Sequence, residues 1–216
     1  MFDTAIFDMD GTLLDTLEDI ADSTNHTLHC LGYPPVSLEK VRCSVGSGAA
    51  QLLNRVLPGG KDDPAFEKAL KLQNSYYQAH CAIKTRPYDG LLEVLQVMKE
   101  GGIRMAIVSN KKDEAVNALN RKYFGDLIPV AVGERAGIRR KPAPDSVLEA
   151  MRLLGAEPAN TIYVGDSEVD YETAVRAGIP CILVSWGFRD REALEEQFHP
   201  QYLIDRPEEL KQFFLD

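Results

Sequence analysis

From residue 84 onward the chain alternates between two hydrophobic patterns. Short apolar runs come first: IRMAIVSN (Ile103 to Asn110), LIPVAV (Leu127 to Val132), TIYVGD (Thr161 to Asp166), CILVSW (Cys181 to Trp186) and YLI (Tyr202 to Ile204). Such runs, lacking strict alternation, mark strands buried on both faces. Between them lie stretches whose apolar residues return every three or four positions. GLLEVLQVMKEGG closes on a glycine pair, SVLEAMRLLG closes on a single glycine, and Pro207 suits the first turn of a last helix. Strand, helix, strand in repeated order predicts an α/β fold built on a doubly wound parallel sheet.

Residues 16–82 break this rhythm. LEDIADSTNHTLHCLG, GAAQLLNRVLPGG and PAFEKALKLQNSYYQAHC all carry helical spacing, with no strand pattern between them. The expected organisation is therefore a core of residues 1–15 and 83–216, interrupted by a helical cap subdomain over 16–82 whose linkers act as hinges.

Composition narrows the function classes. The chain has 216 residues, a net charge of -9 and scattered Lys and Arg, so it offers no basic stripe for a nucleic-acid backbone or an anionic membrane. Its opening, MFDTAIFDMD, has no cationic region and no later run reaches membrane-spanning length, which predicts a cytoplasmic protein. Cys30, Cys43, Cys81 and Cys181 show neither paired nor zinc-type spacing, so reduced thiols are expected. A small-molecule partner fits best, in a monomer or a homodimer.

The chemistry concentrates at the ends of the apolar runs. Ala5, Ile6 and Phe7 read as a central strand that delivers Asp8 and Asp10, one residue either side of Met9, with Gly11 and Thr12 directly after. Ser109 and Asn110 end a second run, Asp166 ends a third, and RRKPAP brings Lys141 to the start of a helix. Ligands of open parallel sheets bind at such strand tips. Acids, a hydroxyl and a lysine gathered there suit Mg2+-assisted phosphoryl transfer, since a hard cation prefers oxygen ligands and screens carboxylate from phosphate. Taken singly, each residue has a plainer reading. Asp8 and Asp10 would be capping or loop acids, Lys141 a surface lysine, Asp170 a favourable first-turn acid, and Glu168 a solvated side chain.

Together, DxDGT at Asp8 to Thr12, Ser109 in VSN, Lys141 in KPAP, and Asp166 with Asp170 in GDSEVD resemble the four motifs of the haloacid dehalogenase superfamily, phosphatase branch. The resemblance spans nearly the whole chain and implies a Rossmann-like core. It implies that Asp8 is the nucleophile and forms an aspartyl-phosphate. Asp10, protonated at the first step, serves the leaving oxygen and then the hydrolytic water. Mg2+ would be held by Asp8, the main-chain carbonyl of Asp10, and Asp166. Ser109 would donate to the phosphoryl group, Lys141 would balance its charge against Asp8, and Asp170 would orient Lys141 or a metal-bound water. Gly11, Thr12 and Asn110 would complete the phosphate cradle.

Substrate choice in this superfamily lies largely in the cap. VRCSVGSGAAQLL places Gly46, Ser47 and Gly48 before a cap helix, where bare amides suit an anion, and Arg42 is the candidate for a substrate carboxylate. With YPP, SNK and RPYDGLLEVL, the pattern resembles phosphoglycolate phosphatases more than sugar phosphomutases. Pyrophosphatase, nucleotidase and mutase activities are the neighbouring readings. A non-catalytic binding role is the reading outside the class.

Overall fold

The computed structural model describes residues 1–215, which divide into two compact units, 1–15 with 87–215 and Thr16–Arg86. In the first unit β1 (Thr4–Phe7) is wholly buried. A two-residue strand β2 (Leu14–Asp15) pairs with β3 (Arg86–Pro87), one on each of the two stretches where the chain passes between the units.

The helical unit holds α1 (Leu17–Cys30), α2 (Leu38–Arg42), α3 (Ala49–Val56) and α4 (Phe66–His80). Its own core is Leu28, Leu53, Leu57 and Ala69. Of these helices α2 was not anticipated. It is only five residues long, too short to show a period, and rests on Ser37, whose hydroxyl accepts from the Lys40 amide at 3.1 Å. The unit runs to Arg86, and α1 holds on to the returning chain. Buried Asp19 accepts from the amides of Ile83, Lys84 and Thr85 at 2.9–3.1 Å and from the Thr85 hydroxyl at 2.8 Å.

The first unit continues through α5 (Leu91–Glu100), β4 (Arg104–Lys112), α6 (Asp113–Tyr123), β5 (Val130–Glu134), α7 (Asp145–Leu154), β6 (Thr161–Gly165), α8 (Glu168–Ala177), β7 (Cys181–Val184), α9 (Arg191–Phe198), β8 (Tyr202–Ile204) and α10 (Lys211–Phe214). Six strands form one sheet in the order β5-β4-β1-β6-β7-β8, every neighbouring pair parallel. The expected doubly wound α/β sheet is present. Strand residues alternate between its faces: Ile6, Ala106, Val108 and Tyr163 join one core cluster with Val147 and Ala150 of α7. The run LIPVAV becomes a strand only from Val130, because Gly125–Leu127 forms a tight helical turn and Pro129 has no N–H for a ladder. No helix among the described residues is long and apolar enough to cross a membrane.

The connections fix where chemistry can occur. From β1 the sheet grows outward through β4 to β5, then the chain returns to β6, on the other side of β1, and grows through β7 to β8. Strands β1 and β6 are therefore the neighbours whose continuations diverge, and the crevice at their carboxyl ends is the natural ligand position.

Candidate active site

Asp8 leaves β1 at that crevice. Its amide extends the ladder to the Val164 carbonyl at 2.9 Å, and its Oδ1 accepts from the Met9 amide at 2.7 Å. Asp166 follows β6 directly. Its Oδ1 accepts from the Thr12 hydroxyl at 3.3 Å and its Oδ2 from the Phe188 amide at 2.7 Å. Both carboxylates are almost fully buried, as are Ser109, Lys141 and Asp170.

Lys141 ties the site together. Its Nζ lies 2.9 Å from Asp8 Oδ1 and 2.7 Å from Asp170 Oδ1, and it donates to the Tyr163 hydroxyl at 3.0 Å. An ammonium has three donors, and here each faces an oxygen. Tyr163 donates onward to Asp170 Oδ1 at 2.9 Å. Asp170 Oδ2 accepts from the Ser167 amide and hydroxyl at 3.1 and 2.6 Å. Asp170 thus serves both readings offered by its position: it caps α8 and it holds Lys141. Burial alone would lower the Lys141 value, yet the charges of Asp170 and Asp8 more than offset it and raise it.

Three glycines let the acids approach this closely. A Cβ on Gly11 would sit 2.3 Å from Asp166 Oδ2, and its φ of +85° is a left-handed conformation that suits glycine. A Cβ on Gly165 would meet the Asp170 Cβ at 2.3 Å, and one on Gly187 would meet the Asp166 Cβ at the same distance. Thr12 is held in turn by Trp186, whose indole donates to the Thr12 carbonyl at 3.0 Å.

The donor set fits a divalent cation. Asp8, Asp166 and Asp170 each offer a carboxylate oxygen, all within 4.8 Å of one another. Four acids, with Asp10, share the cleft with two ammoniums, those of Lys141 and Lys111. Burial, then the neighbouring Asp170 charge, pushes Asp8 well above the ordinary carboxylate range, and the same causes push Asp166 up to about 7. Buried carboxylates in excess, with hard oxygen donors, call for a hard cation. Asp170 has one oxygen against the Lys141 ammonium and Tyr163 and the other against Ser167, whereas Asp8 engages Met9 and Lys141 through Oδ1 and Asp166 meets only uncharged donors, the Thr12 hydroxyl and the Phe188 amide, so Asp8 and Asp166 are the better ligands.

A family model described as haloacid dehalogenase-like hydrolase matches residues 5–184, most of the chain. The chain belongs to the haloacid dehalogenase-like hydrolase family. Curated relatives of this hydrolase include a phosphoglycolate phosphatase of Aquifex aeolicus (strain VF5), 33% identical over 95% of this chain and 93% of the relative. They also include an N-acetylmuramic acid 6-phosphate phosphatase of Pseudomonas aeruginosa, 32% identical over 95% and 91%. Among solved structures, a phosphoglycolate phosphatase candidate from Lactobacillus delbrueckii subsp. bulgaricus superposes with a TM-score of 0.92 at 33% identity, covering 99% of this chain and 98% of that one.

The fold of this hydrolase brings Asp8, Asp10, Gly11, Thr12, Ser109, Asn110, Lys141, Asp166 and Asp170 into the first unit, on the ends of β1, β4 and β6 and the segments that follow β1, β5 and β6. Arg42, Gly46, Ser47 and Gly48 belong to the helical unit. There Arg42 forms a two-pronged pair with Glu39 at 2.7 and 2.9 Å, and Gly48, at a φ of +83°, opens α3. Asn110 turns its amide to the Lys141 backbone, donating to the carbonyl at 3.1 Å and accepting from the N–H at 2.8 Å. It positions Lys141. Glu168 is not the solvated side chain expected from its place on a helix: it is half-buried and grips Arg189 at 2.8 and 2.9 Å.

Two participants were missed by sequence reasoning. Tyr163 sits inside an apolar run, where a hydroxyl needs a buried partner, and that requirement was the available signal. Lys111, whose Nζ lies 2.9 Å from Asp10 Oδ1, stands two residues after Ser109 in SNK and was passed over as part of a family signature.

Proposed function

We propose that this hydrolase is a phosphatase that cleaves phosphoglycolate through an aspartyl-phosphate on Asp8. The observation that carries the chemistry is the fixing of Asp8 Oδ1 by the Met9 amide and the Lys141 ammonium at the sheet's switch point. That leaves Oδ2 to attack phosphorus as the bond to the leaving oxygen breaks. Asp10 gives its proton to the leaving alkoxide, then takes one from the water that attacks the acyl-phosphate and frees inorganic phosphate. Lys141 keeps its charge throughout and stabilises negative charge beside Asp8. Ser109, buried at the end of β4, donates to the phosphoryl oxygens. Asp8 and Asp166 would hold Mg2+, with the Asp10 carbonyl assigned by resemblance; the bound ion supplies charge neutralisation between carboxylates and phosphate.

The substrate reading draws on relatives named phosphoglycolate phosphatase. A sugar-phosphate reading draws on a relative of similar identity, the N-acetylmuramic acid 6-phosphate phosphatase. The deciding experiment is phosphate release with Mg2+ from phosphoglycolate, N-acetylmuramic acid 6-phosphate, pyrophosphate and a nucleoside monophosphate, with Asp8→Asn as the blank. We expect phosphoglycolate to be preferred and the blank to lose turnover by about 10³-fold or more. Preference for the sugar phosphate would replace the substrate, and activity retained by the blank would remove the mechanism.

A further inference from the structure

The cleft holds two ammoniums, and they are placed differently. Lys141 is locked to the nucleophile by Asp8, Asp170 and Tyr163, with all three donors committed. Lys111 lies against Asp10, with Nζ to Oδ1 at 2.9 Å, and both side chains are mostly withdrawn from water, 8% and 19% exposed. Its backbone is held at the end of β4, where its N–H donates to Ser109 Oγ at 3.2 Å.

In the proposed reaction Asp10 is the group that meets the leaving oxygen. An ammonium one hydrogen bond from Asp10 therefore serves the leaving-group end of the reaction, whereas Lys141 serves the nucleophile Asp8. In phosphoglycolate the leaving group is itself an anion, with a carboxylate one carbon from the leaving oxygen. Bringing that oxygen to Asp10 carries the carboxylate toward Lys111. A carboxylate entering so dry a site needs a cation, and an ammonium on a flexible stem can serve it while remaining next to Asp10.

The geometry points to Lys111 as the residue that binds the carboxylate of the leaving group, and so sets preference for phosphorylated hydroxy acids over neutral phosphomonoesters. This rests on the phosphoglycolate reading above. A purely structural Lys111, one that only steadies Asp10, would affect all substrates alike, so the ratio of two substrates separates the roles.

The test compares kcat/KM for phosphoglycolate with that for ethyl phosphate, which has a methyl in place of the carboxylate. Both are measured with Mg2+ in the wild type, Lys111→Met and Lys111→Arg. We expect the wild type to favour phosphoglycolate, and the ratio to fall about 10- to 100-fold in Lys111→Met, mainly through KM. Lys111→Arg, which keeps the charge, should retain more of the ratio. A wild-type ratio that persists in Lys111→Met overturns the assignment, whether or not both rates drop together. A wild type with no preference for phosphoglycolate overturns the substrate reading itself, and the assignment with it. Ethyl phosphate turnover also reports that each variant is folded.

Discussion

At the scale of single residues, the lysine at the nucleophile depends on a tyrosine. Tyr163 accepts from Lys141 at 3.0 Å and donates to Asp170 at 2.9 Å, inside a strand with no exposed surface. Tyr163→Phe keeps the ring and removes both bonds, so one ammonium donor and part of one carboxylate lose their partner in a dry site. The expected cost is about 1–3 kcal/mol, or on the order of 2–10 °C in Tm, with a several-fold loss of kcat as Lys141 loosens. Differential scanning calorimetry and steady-state kinetics read the two effects, and an unchanged kcat would show that Lys141 is positioned without Tyr163, by Asp8, Asp170 and Asn110. Gly11→Ala tests the other wall. A methyl 2.3 Å from Asp166 Oδ2, on a backbone at a φ of +85°, must displace a carboxylate assigned to the metal. Mg2+ affinity measured by titration calorimetry should weaken by about tenfold or more. The acids and the lysine were legible in the sequence because each ends an apolar run or opens a helix. Tyr163 and Lys111 were not, because their roles come from contacts with distant partners, and spacing along one strand carries no record of those.

At the scale of elements, one buried side chain ties the first helix of the helical unit to the end of that unit's chain. Asp19, in the first turn of α1, collects the amides of three successive residues, Ile83, Lys84 and Thr85, together with the Thr85 hydroxyl. Lys84 adds ion pairs to Asp22 at 2.8 Å and Glu18 at 3.4 Å, but these are exposed and contribute little. Asp19→Ala should therefore destabilise the protein by about 2–4 kcal/mol, whereas Lys84→Met should cost under about 1 kcal/mol. Hydrogen exchange should localise the Asp19→Ala effect to residues 83–85. Equal losses for the two variants would mean that the surface pairs, and not the buried carboxylate, hold the segment. The same contact is the part of this segment that the sequence did not show. Helical periodicity fades after Cys81, and nothing in Ile83, Lys84 and Thr85 themselves shows that α1 has captured them. Helices α1, α4, α5 and α7 and the strands β6, β7 and β8 were legible within a residue or two, since Thr161, Cys181 and Tyr202 each open an apolar run. Five-residue α2 was not.

At the scale of the whole molecule, the charge balance of one cleft sets how stability responds to pH and metal. Burial and the nearby Asp170 charge raise the Asp166 carboxyl from 3.8 to about 7. A carboxyl raised on folding favours the folded state while it is protonated. Its contribution is complete below the unfolded value, near 4, and is lost as pH rises through about 7. Metal-free protein in EDTA should therefore lose Tm between about pH 5 and pH 8, over and above the changes contributed by other groups. Asp166→Asn, neutral at every pH, should show a shallower decline and exceed the wild type in Tm at the upper end. Mg2+ reverses the comparison, because a cation and a proton compete for the same oxygens. Excess Mg2+ should raise the wild-type Tm more at about pH 8 than at about pH 5.5, and raise that of Asp166→Asn little at either. Thermal melts of the two proteins at both pH values, with EDTA or with Mg2+, make the comparison complete. Parallel pH slopes in EDTA would mean that Asp166 ionises in the fold as easily as in the unfolded chain. A pH-independent Mg2+ shift would place the cation on carboxylates other than Asp166.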